Sequence, residues 1–353
     1  MTIHGDMVMQ FGGMPVGEIV QGNTYFVDNS KSAANDNNTG RNWKRPKATI
    51  QSAIDEAKAD RVNGGHRIYI MGSSKNCSYP WSGVGFHAMT GSHLYGVYRE
   101  KLDIDADCCG MQLIGLNYPF ISGNEGATQD LTGHTPTIQI GTVGVDSDGP
   151  LYVKLRGLFV GGYGDDGDDA TNNNAYGAAI AIGEFDDVNY NDGVYFTEID
   201  DCLFRSSNDM AGGQTNDEEI HCWIKGWGNE KIRVRRCSFW GGQYQIGMLG
   251  SSNNNPMMWE VDDCNLLWAK TAAVYSPASA LACTIRRTNI APSASGKELY
   301  MTGGTASALV DCSFPLCADA GSAGLISAAS LGTFTGWAVI NGKAQAGVIY
   351  DKD

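Results

Sequence analysis

The sequence predicts an all-β fold: a parallel β-solenoid with a capping helix near its start and an extended N-terminal arm. Three observations lead there. A short cysteine-centred pattern recurs through the second half of the chain, and the spacing between its copies settles at 24 residues. The 353 residues also include 46 glycines against 10 prolines, with no collagen-like period. Glycine at that level marks many tight turns between short strands. A chain of this length has ample room for a core, in one large or two ordinary domains.

Residues 1–23 read as the arm. Their opening, MTIHGDMVMQFGGMPVGEIV, shows neither the basic stretch nor the continuous apolar run of a secretory signal. Residues 24–73 follow a different grammar: a strand over 25–28, a polar Asn/Gly-rich loop, an amphipathic helix and a strand over 67–71. In the helix Ile50, Ala53, Ile54 and Ala57 fall at i, i+3, i+4 and i+7, one apolar stripe. Laid over the first coil, that stripe would cover the open edge of the solenoid.

Residues 74–330 hold the repeat. Aligned on one key position, KLRGLFV, EIDDCLF, RVRRCSF, EVDDCNL, TIRRTNI and ALVDCSF superpose, and QLIGLNY fits in part. The key residues are Leu116, Leu158, Cys202, Cys237, Cys264, Thr288 and Cys312, separated by 42, 44, 35, 27, 24 and 24 residues. A minimal coil of 24 with insertions in earlier turns explains the series, the long insertions lying within 159–236. Each copy has an aliphatic residue three before the key position and an apolar one two after it. Further apolar segments around Ile246, Val274, Leu299 and Leu325 predict a second strand per coil. One coil cannot bury its own inward face, so stacking is what builds the core. Residues 331–353 leave the pattern and read as a cap or an oligomerisation tail.

Stacked coils place equivalent residues about 4.8 Å apart, where like charges repel. The charges alternate instead. The position before the key residue runs Gly157, Asp201, Arg236, Asp263, Arg287, Asp311, and the one before it Arg156, Asp200, Arg235, Asp262, Arg286. A ladder of interleaved acids and bases is expected, with Cys202, Cys237, Cys264 and Cys312 as core rungs behind it. Exposed pairs contribute about 0–1 kcal/mol each, so the ladder acts chiefly on register.

A formal charge of −14 argues against nucleic acid as a partner. The acidity is local: residues 163–221 hold 15 Asp or Glu and one base, Arg205. No stretch approaches the roughly 18 apolar residues of a membrane span, so no membrane insertion is expected. The ten cysteines form no CxxC pair or zinc-like spacing. Buried reduced thiols, in a protein made in a cytoplasm, are expected over a disulfide framework.

The YFVD strand, the ATIQSAIDEA helix and the GGHRIYIMG strand, followed by the coils, resemble the right-handed parallel β-helix, or pectate-lyase-like, superfamily. The resemblance spans roughly residues 24–330 and implies fold more than function, because such folds serve lyases, hydrolases, adhesins and viral spikes. The arm resembles the N-termini of bacteriophage virion proteins, with Phe11, Met14, Pro15 and Val16 as docking candidates. That implies a homotrimeric capsid-surface decoration or short spike, made in the host cytoplasm, bound to other virion proteins and displayed on the virion surface, where it meets host surface glycans. A polysaccharide lyase or hydrolase and a non-catalytic glycan-binding adhesin are the alternatives.

Candidate site residues fall in the insertions. Paired carboxylates serve glycan cleavage; Asp186, Asp187, Asp192, Glu218, Glu219 and His221 are the candidates. The runs typical of polygalacturonases and the arginine motif of pectate lyases are absent. Asp165, Asp166, Asp168 and Asp169 flank a glycine in DDGDD and suit Ca2+ through dense oxygen ligands, the alternative being a solvated acidic loop; no other cofactor is expected. Trp227, Tyr163 and Tyr190 are candidates for stacking on sugar rings, Trp227 in a turn between two glycines.

Overall fold

The structure, a computed structural model, describes residues 9–11, 14–16, 22–60, 65–72, 96–122, 136–141, 150–161, 178–183, 194–205, 222–227, 230–249, 257–269, 271–276, 281–291, 297–301, 306–310, 312–314, 326–327, 337–340 and 343–346. Three parallel sheets wind the chain into a β-helix. Among the described residues sheet I has nine strands, sheet II ten and sheet III eight. One coil runs Glu230–Arg235 in sheet I, Ser238–Trp240 in sheet II and Tyr244–Leu249 in sheet III. Met257–Asp262 then returns to sheet I beside Glu230–Arg235.

A coil therefore has three strands, one more than the apolar segments suggested. The additional sheet II strand follows the key residue and is only three residues long, as in Ser238–Trp240 and Asn265–Leu267. It buries a single inward residue, too few to display a period of two. The third strands lie where the sequence put them, with Ile246 opposite Val274, Val274 opposite Leu299 and Leu299 opposite Ile326.

Register follows the repeat. Arg156 pairs with Asp200, Asp200 with Arg235, Arg235 with Asp262, Asp262 with Arg286 and Arg286 with Val310. Inward columns build the core. Three before the key position, Leu113, Leu155, Ile199, Val234, Val261 and Ile285 are all buried. Two after it stand Val160, Phe204, Phe239, Leu266 and Ile290, also buried, with the Phe204 and Phe239 rings stacked at 4.4 Å. Each such side chain contributes about 1.5–3 kcal/mol by leaving water.

The turn from sheet I to sheet II explains the key residue. Gly157, Asp201, Arg236, Asp263 and Arg287 adopt φ of 64°, 53°, 51°, 53° and 46°, a left-handed corner in five coils. Behind it the key side chain donates to the carbonyl two residues back: Cys202 to Asp200 O, Cys237 to Arg235 O, Cys264 to Asp262 O and Thr288 to Arg286 O. A short side chain with one donor suits that place, and Cys and Thr supply it. None of the eight described cysteines forms a disulfide, and all but Cys109 are buried.

The helix Ile50–Ala59 buries Ile50, Ala53, Ile54 and Ala57, the predicted stripe. The first coil holds it by its start. Both oxygens of Glu100 accept N–H groups there, from Ile50 and Gln51, each at 2.9 Å. Near its end Lys58 pairs with Asp105. At the other end of the chain Trp337–Ile340 extends sheet II beside Cys312–Phe314, and Lys343–Ala346 folds back antiparallel to it. In the arm Met9–Phe11 and Met14–Val16 form an antiparallel pair.

Candidate functional site

The outer face of sheet I gathers the chemistry. Its strands are short, and their outward positions stack into columns that can be counted back from the key residue. The column four before it runs Lys154, Glu198, Arg233, Glu260, Thr284, in register. The column two before it runs Arg156, Asp200, Arg235, Asp262, Arg286, and the corner adds Asp201, Arg236, Asp263 and Arg287. Acids and bases alternate in all three.

The pairs cross between columns as well as along them. Along the outermost column Lys154 meets Glu198 at 3.4 Å and Arg233 meets Glu260 at 2.7 Å. Arg235 reaches across to Glu198 at 3.3 Å. From the corner, Arg287 lies 2.7 Å from Asp262 and 3.0 Å from Asp263. Asp200 and Asp262 project outward yet are buried, covered by the arginines beside them. Burial pushes the Glu260 carboxyl up, but the Arg233 hydrogen bond and the charges of Arg233, Arg286 and Lys231 outweigh it and hold it below its usual range. The Arg287 hydrogen bond does the same for Asp263.

Six residues before the key position lies a different row. Tyr152, Phe196 and Lys231 follow one another in register and adopt φ of 60°, 61° and 52°. The two preceding coils carry Gly65 and Gly110 there, at φ of 80° and 73°. The Tyr152 and Phe196 rings stack at 4.8 Å with planes 5° apart, and Lys231 Nζ stands 5.7 Å from the Phe196 ring centre. Bulky side chains in the left-handed region cost on the order of 1–3 kcal/mol each. A stacked pair returns about 0.5–1.5 kcal/mol, which does not by itself account for the choice of residues. Counting six back from each key residue places this row in the sequence, where its mixed Gly, Tyr, Phe and Lys composition shows no period of its own.

Another aromatic corner lies where sheet II ends. Trp268, at φ 63° and 53% exposed, stands 5.9 Å from Trp240.

The ladder residues Asp201, Arg236, Asp263 and Arg287 and the rungs Cys202, Cys237, Cys264 and Cys312 lie at the sheet I corner, while Asp311 lies outside the described residues. Trp227 ends a sheet III strand opposite Leu249 instead of occupying a turn. Parallel neighbours on both sides carry the backbone straight through Gly226. Tyr163, Asp165, Asp166, Asp168, Asp169, Asp186, Asp187, Tyr190, Asp192, Glu218, Glu219 and His221 lie outside the described residues. Phe11, Met14, Pro15 and Val16 lie on the hairpin strands of the arm. Among the described residues no three His, Cys, Asp or Glu side chains gather as metal ligands, and no helix is long and apolar enough to cross a membrane.

No protein-family model matches the chain, and no curated protein matches it. Among solved structures, a pectin methylesterase in complex with a hexasaccharide is similar at 10% identity and a TM-score of 0.36, over 90% of each chain. The β-helix is read from the chain's own sheets.

Proposed function

We propose that the protein is a display element of a bacteriophage particle: a homotrimeric spike or surface decoration whose β-helix is the shaft and whose arm is the dock. The observation that carries this reading is the hairpin of the arm. Among the described strands, Met9–Phe11 and Met14–Val16 pair with each other and join none of the three solenoid sheets. Phe11, Met14, Pro15 and Val16 thus belong to an element that the shaft does not need for its own pairing. The interleaved charges of sheet I favour a shaft of fixed register, since a one-coil slip sets like charges together.

Deleting residues 1–22 tests the proposal. The truncated chain is expected to keep its β-sheet circular dichroism and its melting temperature while failing to enter particles assembled in its presence. Incorporation at the parent level would defeat the docking role. Sedimentation equilibrium of the full chain at three times 37.8 kDa is expected for the trimer, and a monomer removes that part.

A further inference from the structure

The geometry points to a docking surface for a second copy of this chain on the outer face of sheet I, with the two solenoids antiparallel. It goes beyond the display role and depends on neither the arm nor the trimer. Three features carry it: an open apolar row, a size order that reads the same from either end, and charges that match only when the coil order is reversed.

Among the described residues four large apolar ones are exposed, and three of these lie together. The row six before the key position runs Tyr152, Phe196, Lys231, and Met258 continues it beside Lys231. Tyr152 and Met258 are 52% and 44% exposed, and Leu151 flanks Tyr152 at 38%. The row follows the solenoid for three coil steps, about 14 Å at the strand spacing. Tyr152, Phe196 and Lys231 hold left-handed backbone there, at φ of 60°, 61° and 52°. The stack of Tyr152 on Phe196 leaves that strain unbalanced. A partner that covers the row offsets it, because contiguous apolar surface then leaves water.

The order of the row identifies the partner. Counted outward from its midpoint, the first pair is Phe196 and Lys231 and the second Tyr152 and Met258, all large. The third is Gly110 and Ala282 and the fourth Gly65 and Ala306, all small. Such a row fits its own reversal. A two-fold axis along the strands, through that midpoint, lays each column on itself with the coil order inverted. Tyr152 then meets Met258 of the second copy, ring against sulfur. Phe196 meets Lys231 of the second copy, ring against cation.

The charges select the same arrangement. Four before the key position Lys154 faces Glu260, and Glu198 faces Arg233. Two before it Arg156 faces Asp262, and Asp200 faces Arg235. One coil further out Gln112 faces Thr284, both uncharged. A two-fold axis along the solenoid would instead set Lys154 on Lys154 and Glu198 on Glu198 at equal height, which repels. These charges already pair within the chain, so they choose the register, and the apolar row supplies the affinity.

Sedimentation equilibrium of the full chain at about 0.1 mM separates this inference from the trimer. Twice 37.8 kDa is expected where the pair forms without the trimer, and six times where both form. Three times 37.8 kDa, or a monomer, would overturn the inference. Tyr152→Gly, which suits the left-handed backbone, combined with Met258→Gln is expected to weaken pairing at least about tenfold with the circular dichroism unchanged. Pairing at the parent level would overturn it. Crosslinking reads the orientation, in a Cys77→Ser, Cys109→Ser, Cys317→Ser background. Chains carrying Tyr152→Cys and chains carrying Met258→Cys, mixed dilute and then concentrated, are expected to join through a short bismaleimide. Neither chain alone is expected to do so, because equal positions then stand at least about 14 Å apart. Crosslinking of the Tyr152→Cys chain with itself, or none in the mixture, would overturn the antiparallel pair.

Discussion

Arg236 closes on Asp200 and leaves its corner neighbour Asp201 to another partner. Its Nη2 lies 2.5 Å from Asp200 Oδ2, while Asp201 accepts the Tyr118 hydroxyl at 2.8 Å. The Asp200 side chain is 2% exposed and that of Arg236 48%. The corner thus works as a lid over a buried carboxylate, a stronger arrangement than the exposed pairs expected of a surface ladder. A buried acceptor that loses its partner bears its full desolvation cost, whereas an exposed pair gains little.

Removing that lid is expected to destabilise the shaft. Arg236→Asn keeps a side chain that tolerates φ of 51° but strips the nearer of two cations from Asp200, leaving Arg156 at 3.9 Å, at about 1–3 kcal/mol in urea unfolding. Asp200→Asn in the same background is expected to recover part of the loss, since no buried charge is left exposed to its own desolvation. A double-mutant cycle with zero coupling would refute the pair.

The network is expected to set an acid limb. Glu260 and Asp263 are held below their ordinary values of 4.5 and 3.8 in the folded chain. A depressed folded value means that their contribution is present above those ordinary values and is lost as pH falls through the folded ones. Urea midpoints from pH 7 down to about pH 3 should therefore drop below pH 4.5, less steeply in Glu260→Gln with Asp263→Asn. Parallel profiles would show that these carboxylates carry none of the limb.

Glu100 is expected to hold the helix on the first coil. Glu100→Ala leaves the Ile50 and Gln51 N–H groups without their carboxylate and should cost about 1–2 kcal/mol. Hydrogen exchange should then quicken in Ile50–Ala59 ahead of sheet I. Uniform quickening across the coils would contradict a local role.

Thiol labelling should follow burial. In a Cys77→Ser, Cys317→Ser background, iodoacetamide is expected to mark Cys109 on the native protein and the other seven only after unfolding. Burial raises the Cys108, Cys237 and Cys283 thiols, which removes the reactive thiolate. Native-state labelling of Cys237 at the rate of Cys109 would refute the packed corner.

By itself the sequence determined the phase of the coil. Aligning on Cys202, Cys237, Cys264 and Cys312 places every neighbour in sheet I, because stacking forces one short inward pattern to recur and a local pattern is visible in a single chain. The helix stripe of Ile50, Ala53, Ile54 and Ala57 was legible for the same reason. The tertiary structure decided what passes between coils. That Arg236 turns diagonally to Asp200, that Tyr152 lies on Phe196 over a bare Gly110, and that three sheets rather than two close the coil all depend on residues tens of positions apart. Their contacts are set by the left-handed corners and the spacing of about 4.8 Å between strands, which no local period records.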